Sequence, residues 1–136
     1  MKVMTKEELT TLAKAAMQNA YAPYSGCTVG AALLTKSGKV YLGCNIENAS
    51  FSPTICAERS AFASAISAGE RSFAALAVTG GKNGEIRGAF YPCGVCRQVI
   101  REFCAEDFPI YVLTDKEILS LTLGDLLPHS FSSEVM

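Results

Sequence analysis

Leu9, Leu12, Ala13, Ala16 and Met17 recur at helical spacing within residues 5–20, so one apolar stripe faces inward on an amphipathic helix. Thr5, with Glu8 three residues on, marks the start of that helix as a capping box. "YAPYSG" at 21–26 ends it through Pro23 and Gly26. The apolar runs "TVGAALLT" (28–35) and "KVYLGCNI" (39–46) are joined around Ser37-Gly38 and predict a hairpin. A polar loop leads to a helix over about 55–68, with Gly69 just beyond its end. "FAALAVTGG" (73–81) predicts a strand, "KNGEIRG" a turn and "AFYP" (89–92) a brief strand. A helix is expected over 93–105, a strand over 108–114, a short helix from Thr122 to Leu127 and an irregular tail after it. Strands alternating with helices predict an α/β sandwich whose mixed sheet is covered on both faces, with 1–136 as a single domain.

Composition narrows the function. Apolar residues are 49% and charged residues 18%, the balance of a chain with a packed core rather than a disordered one. The formal net charge of −1 gives no attraction to a phosphate backbone, so nucleic acid is not an expected partner. No apolar run reaches the length of a membrane span, and the first residues lack the apolar core of a signal peptide. A cytoplasmic protein without a membrane partner is therefore expected. Six cysteines (27, 44, 56, 93, 96 and 104) are many for a reducing compartment, and thiol chemistry or metal binding is the better account of some of them than disulfides.

The candidate chemistry lies in "TICAERSAFASA" (54–65) and "FYPCGVCRQVI" (90–100). Cys93 and Cys96 are three apart, a turn of about 300° on a helix, so both sulfurs can reach one tetrahedral ion. The same spacing serves redox enzymes, and that alternative stays open on the pair alone. Cys56 and Glu58 differ by about 200° and cannot line one helix face, but both can serve a site off the helix N-terminus. Two helix N-termini would then converge, each adding partial positive charge that favours thiolates. Three thiolates on Zn²⁺ leave a net negative charge, which Arg59 can offset and which Gln98 can relieve by donating to a ligand sulfur. Three protein ligands leave a fourth position open, as in catalytic zinc sites. A closed four-cysteine site would need another sulfur: Cys104 is about 12 Å further along the same helix as Cys96, whereas Cys44 is not excluded by spacing.

Cys56-Ala57-Glu58 followed by Pro92-Cys93-Gly94-Val95-Cys96, together with "YAPYS", "VGAAL", "GCNIENASF", "PCGVCRQ" and "LLPHSFSS", resembles the short, three-cysteine cytidine deaminases over nearly the whole chain. The resemblance implies a three-layer α/β/α sandwich with a mixed five-stranded sheet and one Zn²⁺ per chain, held by Cys56, Cys93 and Cys96. It implies hydrolysis of cytidine and 2′-deoxycytidine to the uridines for pyrimidine salvage, with water activated by zinc attacking C4 and Glu58 carrying protons to N3 and the leaving amine. It implies that Asn45 and Glu47 bind the ribose 3′-hydroxyl, that the Ala57 backbone meets the pyrimidine and that Phe131 reaches the base in a neighbouring subunit of a homotetramer. Without the family, Asn45 and Glu47 read as a polar turn and Phe131 as a locally packed tail aromatic.

Cys27 stands where the family often has phenylalanine, and Phe51 where many members have tyrosine. His129, the only histidine, is expected to be a loop residue, and Cys44 and Cys104 buried small apolar ones. Two rival functions are a deaminase for a modified cytosine nucleoside such as a blasticidin-type antibiotic, and a non-catalytic, zinc-stabilised binding module. The "NIEN" loop favours a simple nucleoside over the first, and Glu58 beside the thiols favours an enzyme over the second.

Overall fold

The computed structural model describes residues 4–136. Its first helix, α1 (Lys6–Met17), forms over the apolar stripe, with Leu9, Ala13, Ala16 and Met17 buried. Thr5 Oγ1 accepts from the Glu8 N–H and the Glu8 carboxylate accepts from the Thr5 N–H, so two end donors are satisfied reciprocally. β1 (Cys27–Thr35), β2 (Val40–Cys44), α2 (Ala57–Ser67), β3 (Phe73–Lys82), β4 (Glu85–Ile86), α3 (Gly94–Phe103), β5 (Pro109–Leu113), β6 (Ile118–Thr122) and α4 (Leu123–Leu126) follow, then a 3₁₀ turn at Ser133–Val135.

The sheet runs β2-β1-β3-β5-β6, with β4 pairing to the far end of β3. β3 and β5 are parallel and joined through α3, whereas β1–β2, β1–β3, β3–β4 and β5–β6 are antiparallel. The alternation of β1 divides the core. Ala31 and Leu33 face α2 and α3 with Phe62, Leu76, Val78, Ile100, Ile110 and Val112, while Ala32 faces α1 with Leu9, Ala13, Ala75 and Ala77. Helices therefore cover both faces of the mixed sheet, as expected.

Two glycines let the helices press onto the sheet. A Cβ on Gly30 would lie 2.1 Å from the Ala13 carbonyl of α1, and one on Gly43 would lie 2.3 Å from the Ala57 carbonyl of α2. The small residues Ala57 and Ala61 opposite Gly43 complete that close approach, which fixes the N-terminus of α2 over the end of β2.

The sheet departs from expectation in its lesser strands. Residues 118–122, for which no strand was expected, form β6; Thr114 Oγ1 accepts from the Lys116 and Glu117 N–H groups and turns the chain back at once. Being a half-buried edge strand with exposed Ser120 at its centre, β6 carries no continuous apolar run. Glu85–Ile86 pairs with β3 although its sequence reads as a turn. The "AFYP" segment is not a strand. The Phe90 ring lies over Gly80, where a Cβ would come within 2.5 Å of it, and Pro92 has no N–H to give a ladder. Among the described residues no helix is long and apolar enough to cross a membrane.

Candidate active site

Cys56 and Cys93 occupy the N-cap positions of α2 and α3, both in extended backbone, and neither thiol caps its own helix. The residue type is a poor cap, and the sulfurs are instead turned towards each other. Cys96, on the first turn of α3, is fully buried beside them. Cys56 Sγ lies 3.7 Å from Cys93 Sγ, Cys93 Sγ lies 3.5 Å from Cys96 Sγ, and all three fall within 4.8 Å of one another. A tetrahedral zinc with bonds of about 2.3 Å would hold its sulfurs about 3.8 Å apart, so this donor set fits one zinc ion.

Glu58 is 3% exposed and its Oε1 has no hydrogen-bond partner among the described residues. Burial pushes its carboxyl up to about 7. An orphaned carboxyl oxygen beside three thiols is a costly arrangement in a chain with nothing to bind there. Arg59 Nη2 points back at Cys56 Sγ, 3.5 Å away. The Cys56 thiol is pulled down to about 5, first by a hydrogen bond with Cys96 and then by the Arg59 guanidinium, while Cys96 moves upward through the same pairing. The α2 N-terminus and Arg59 both favour negative charge at Cys56.

A cavity of about 210 Å³ opens onto Cys56, Glu58 and Cys93. Val29, Thr54, Ile55, Phe90 and Tyr91 also line it, and sequence reasoning assigned none of these a role. The only sequence signal for Phe90 and Tyr91 was their place directly before Pro92-Cys93. Ala57 and Asn45 line the same cavity. A second groove of about 420 Å³, lined by Tyr24, Ser25, Glu47, Asn48, Phe51 and Thr54, shares Thr54 with the first. The backbone bridges Tyr21–Ile46 and Ile46–Ile55 tie the three loops of this region together.

The other expected residues fall as follows. Asn45 Oδ1 accepts from the Val29 N–H at 2.8 Å and its Nδ2 donates to the Cys27 carbonyl at 2.8 Å, so its amide also pins the start of β1. Glu47 accepts from Tyr24, from Ser25 N–H and from the Ser25 hydroxyl, which hold its carboxyl below the usual range. Gln98 is not directed at a sulfur: its Nε2 donates to the Phe131 carbonyl at 3.0 Å, because the C-terminal tail crosses this side of α3. Phe131 is 64% exposed and does not line its own chain's cavity. Cys27 begins β1 outside both cavities, whereas Phe51 lines the second groove with φ +49° and meets Tyr24 edge to face at 6.4 Å. His129 lies on an exposed turn. All six cysteines are free thiols; Cys104 is buried and its thiol is pushed up to about 12, while Cys44 is half-buried.

A mixed sheet between helices, with two helix N-termini presenting three thiols to a buried acid, defines a metal-assisted deaminase class. Residues 3–112 match the cytidine and deoxycytidylate deaminase zinc-binding region, and the chain belongs to that family. A cytidine deaminase of Sporosarcina psychrophila is 49% identical over 132 residues, covering 96% of this chain and 94% of that protein. One from Halalkalibacterium halodurans is 42% identical over 134 residues, covering 98% of each. The crystal structure of cytidine deaminase from Burkholderia pseudomallei superposes with a TM-score of 0.86 at 47% identity, covering 94% of this chain and 100% of that one.

Proposed function

We propose that this chain, as one domain over 1–136, hydrolyses cytidine and 2′-deoxycytidine to uridine and 2′-deoxyuridine, releasing ammonia, in cytoplasmic pyrimidine salvage. The observation that carries the reading is Glu58 Oε1, buried and without a protein partner, beside three sulfurs spaced for one ion. Cys56, Cys93 and Cys96 would hold Zn²⁺, which supplies Lewis acidity that brings the pKa of water towards neutrality. Glu58 would take one proton of the attacking water and deliver it to ring N3, then take the second from the hydroxyl now on C4 and pass it to the departing amine, so cytidine and water become uridine and ammonia. A carboxyl pushed to about 7 by burial suits a group that must accept and donate in turn near neutral pH.

The two cavities match the two halves of a nucleoside. The base fits the cavity at Glu58, against Phe90 and the first-turn backbone at Ala57, whose N–H lacks an intrahelical partner. The sugar lies towards the groove that holds Glu47, where Glu47 and the remaining N–H of Asn45 meet its 3′-hydroxyl. The reading includes a homotetramer in which a neighbour's Phe131, 64% exposed and outside its own chain's cavity, completes the site.

The test is Glu58→Gln, with zinc content and cytidine turnover measured on the same preparation. We expect about one zinc per chain to be kept and turnover to fall by at least about 100-fold. A parent protein that binds zinc but forms no uridine would overturn the reading in favour of a binding module, and preference for blasticidin S over cytidine would move it to the modified-nucleoside class.

A further inference from the structure

Glu47 is held from one direction. Its Oε1 accepts two backbone N–H groups, from Tyr24 at 2.9 Å and from Ser25 at 3.1 Å. Among the described residues its Oε2 accepts from one group, the Ser25 hydroxyl. That hydroxyl is itself fixed, because its oxygen accepts from the Cys27 N–H at 2.9 Å and its proton is thereby committed to the carboxylate. Lys82, on β3, donates Nζ to the Ser25 carbonyl at 2.7 Å, so the turn bearing Ser25 is anchored to the sheet as well. A carboxylate oxygen offers about two acceptor directions, so Oε2 has one left, and Glu47 and Ser25 line the same groove.

We propose that Ser25 is a positioning residue: by donating to Glu47 Oε2 while accepting from Cys27, it aims the carboxylate's remaining acceptor direction at the sugar 3′-hydroxyl. This rests on the nucleoside reading above. The turn does not need the hydroxyl to fold, since the Oε1 bonds, the Gly26–Ala22 backbone bond and Lys82 all remain without it. Loss of the hydroxyl instead leaves Glu47 held at one oxygen and free to swing the other away from the groove. The consequence falls on recognition of one substrate hydroxyl and leaves the proton transfers at Glu58 untouched.

The experiment compares parent, Ser25→Ala and Ser25→Thr with cytidine and 3′-deoxycytidine, following KM and kcat separately alongside thermal melts and zinc content. Ser25→Ala should raise KM for cytidine about tenfold at nearly constant kcat, the scale of one charge-assisted hydrogen bond. Its KM for 3′-deoxycytidine should equal that of the parent, and Ser25→Thr should restore the cytidine value. An equal rise with both substrates, no rise with cytidine, or a melt lowered along with the activity would make Ser25 structural and overturn the proposal. A zinc-loaded parent inert towards cytidine would instead remove the function, and this assignment with it; a parent active on cytidine with any of the former results removes this assignment alone.

Discussion

At the residue scale, the site depends on how three sulfurs carry charge. Arg59 Nη2 lies 3.5 Å from Cys56 Sγ, its Nε is buried without a hydrogen-bond partner among the described residues, and its charge acts on the Cys56 and Cys96 sulfurs. Groups that hydrogen-bond to metal ligands commonly contribute 10–100-fold in metal affinity, roughly speaking, when they are removed. Arg59→Ala should therefore keep the fold, lose zinc to a competing chelator about tenfold more readily and turn over cytidine more slowly. Unaltered zinc competition and unaltered kinetics would show that the helix N-termini suffice. The sulfurs and Glu58 could be picked out because the thiol pair three apart, itself open to a redox reading, coincides with a carboxyl two residues from a third thiol. Gln98 could not be placed, since its direction is decided by a tail that arrives more than thirty residues later and offers the Phe131 carbonyl.

At the element scale, α2 is positioned by contact with β2 rather than by its own propensity. Ala57 and Ala61 meet Gly43 so closely that a methyl group there would fall 2.3 Å from the Ala57 carbonyl and 2.5 Å from the Ala61 nitrogen. Backbone cannot step aside as a flexible side chain can. Gly43→Ala should thus displace the start of α2, cost about 1–3 kcal/mol or more and lower zinc content as well, because Cys56 and Glu58 ride on that end. Gly94→Ala is the control: its Cβ meets nothing within 4 Å, so thermal and denaturant midpoints should stay level or rise slightly. A Gly43→Ala protein with parental midpoint and full zinc would refute the close-approach argument. The main helices and β1, β2, β3 and β5 were legible because their apolar runs are continuous and their ends carry glycine, proline or a capping box. β6 and the "AFYP" segment were not, as an edge strand is half-buried and Phe90 packs on the sheet's end instead of joining its ladder.

At the scale of the whole molecule, the tail is held on both sides of a ring that touches little. Arg101 Nε donates to Ser130 Oγ at 2.9 Å, Gln98 donates to the Phe131 carbonyl, and Ser132 is buried, yet the Phe131 side chain is 64% exposed. Anchoring of this kind holds the backbone from which the ring projects, and α3, which carries Cys93 and Cys96 at one end, supplies the anchors. Tyr24, Phe51 and Tyr91, all more than 45% exposed, surround the cavities with further apolar surface. In the proposed homotetramer this exposed apolar surface would lie between subunits, and each chain would lend its ring to the next. Phe131→Ala should leave the melt and zinc content of the protein close to the parent and raise KM for cytidine, since a stacked aromatic contact is worth about 0.5–1.5 kcal/mol beyond its buried area. The decisive form of the test mixes subunits. A Glu58→Gln chain lacks the proton carrier but keeps its ring, and a Phe131→Ala chain lacks the ring but keeps its acid. Dissociated and reassociated in equal amounts, the two should regenerate parental sites at roughly a quarter of positions by random pairing, seen as a low-KM component absent from either alone. If no such component appears while sedimentation shows mixed assemblies, the ring serves its own subunit and the cavity is closed by some other part of the chain.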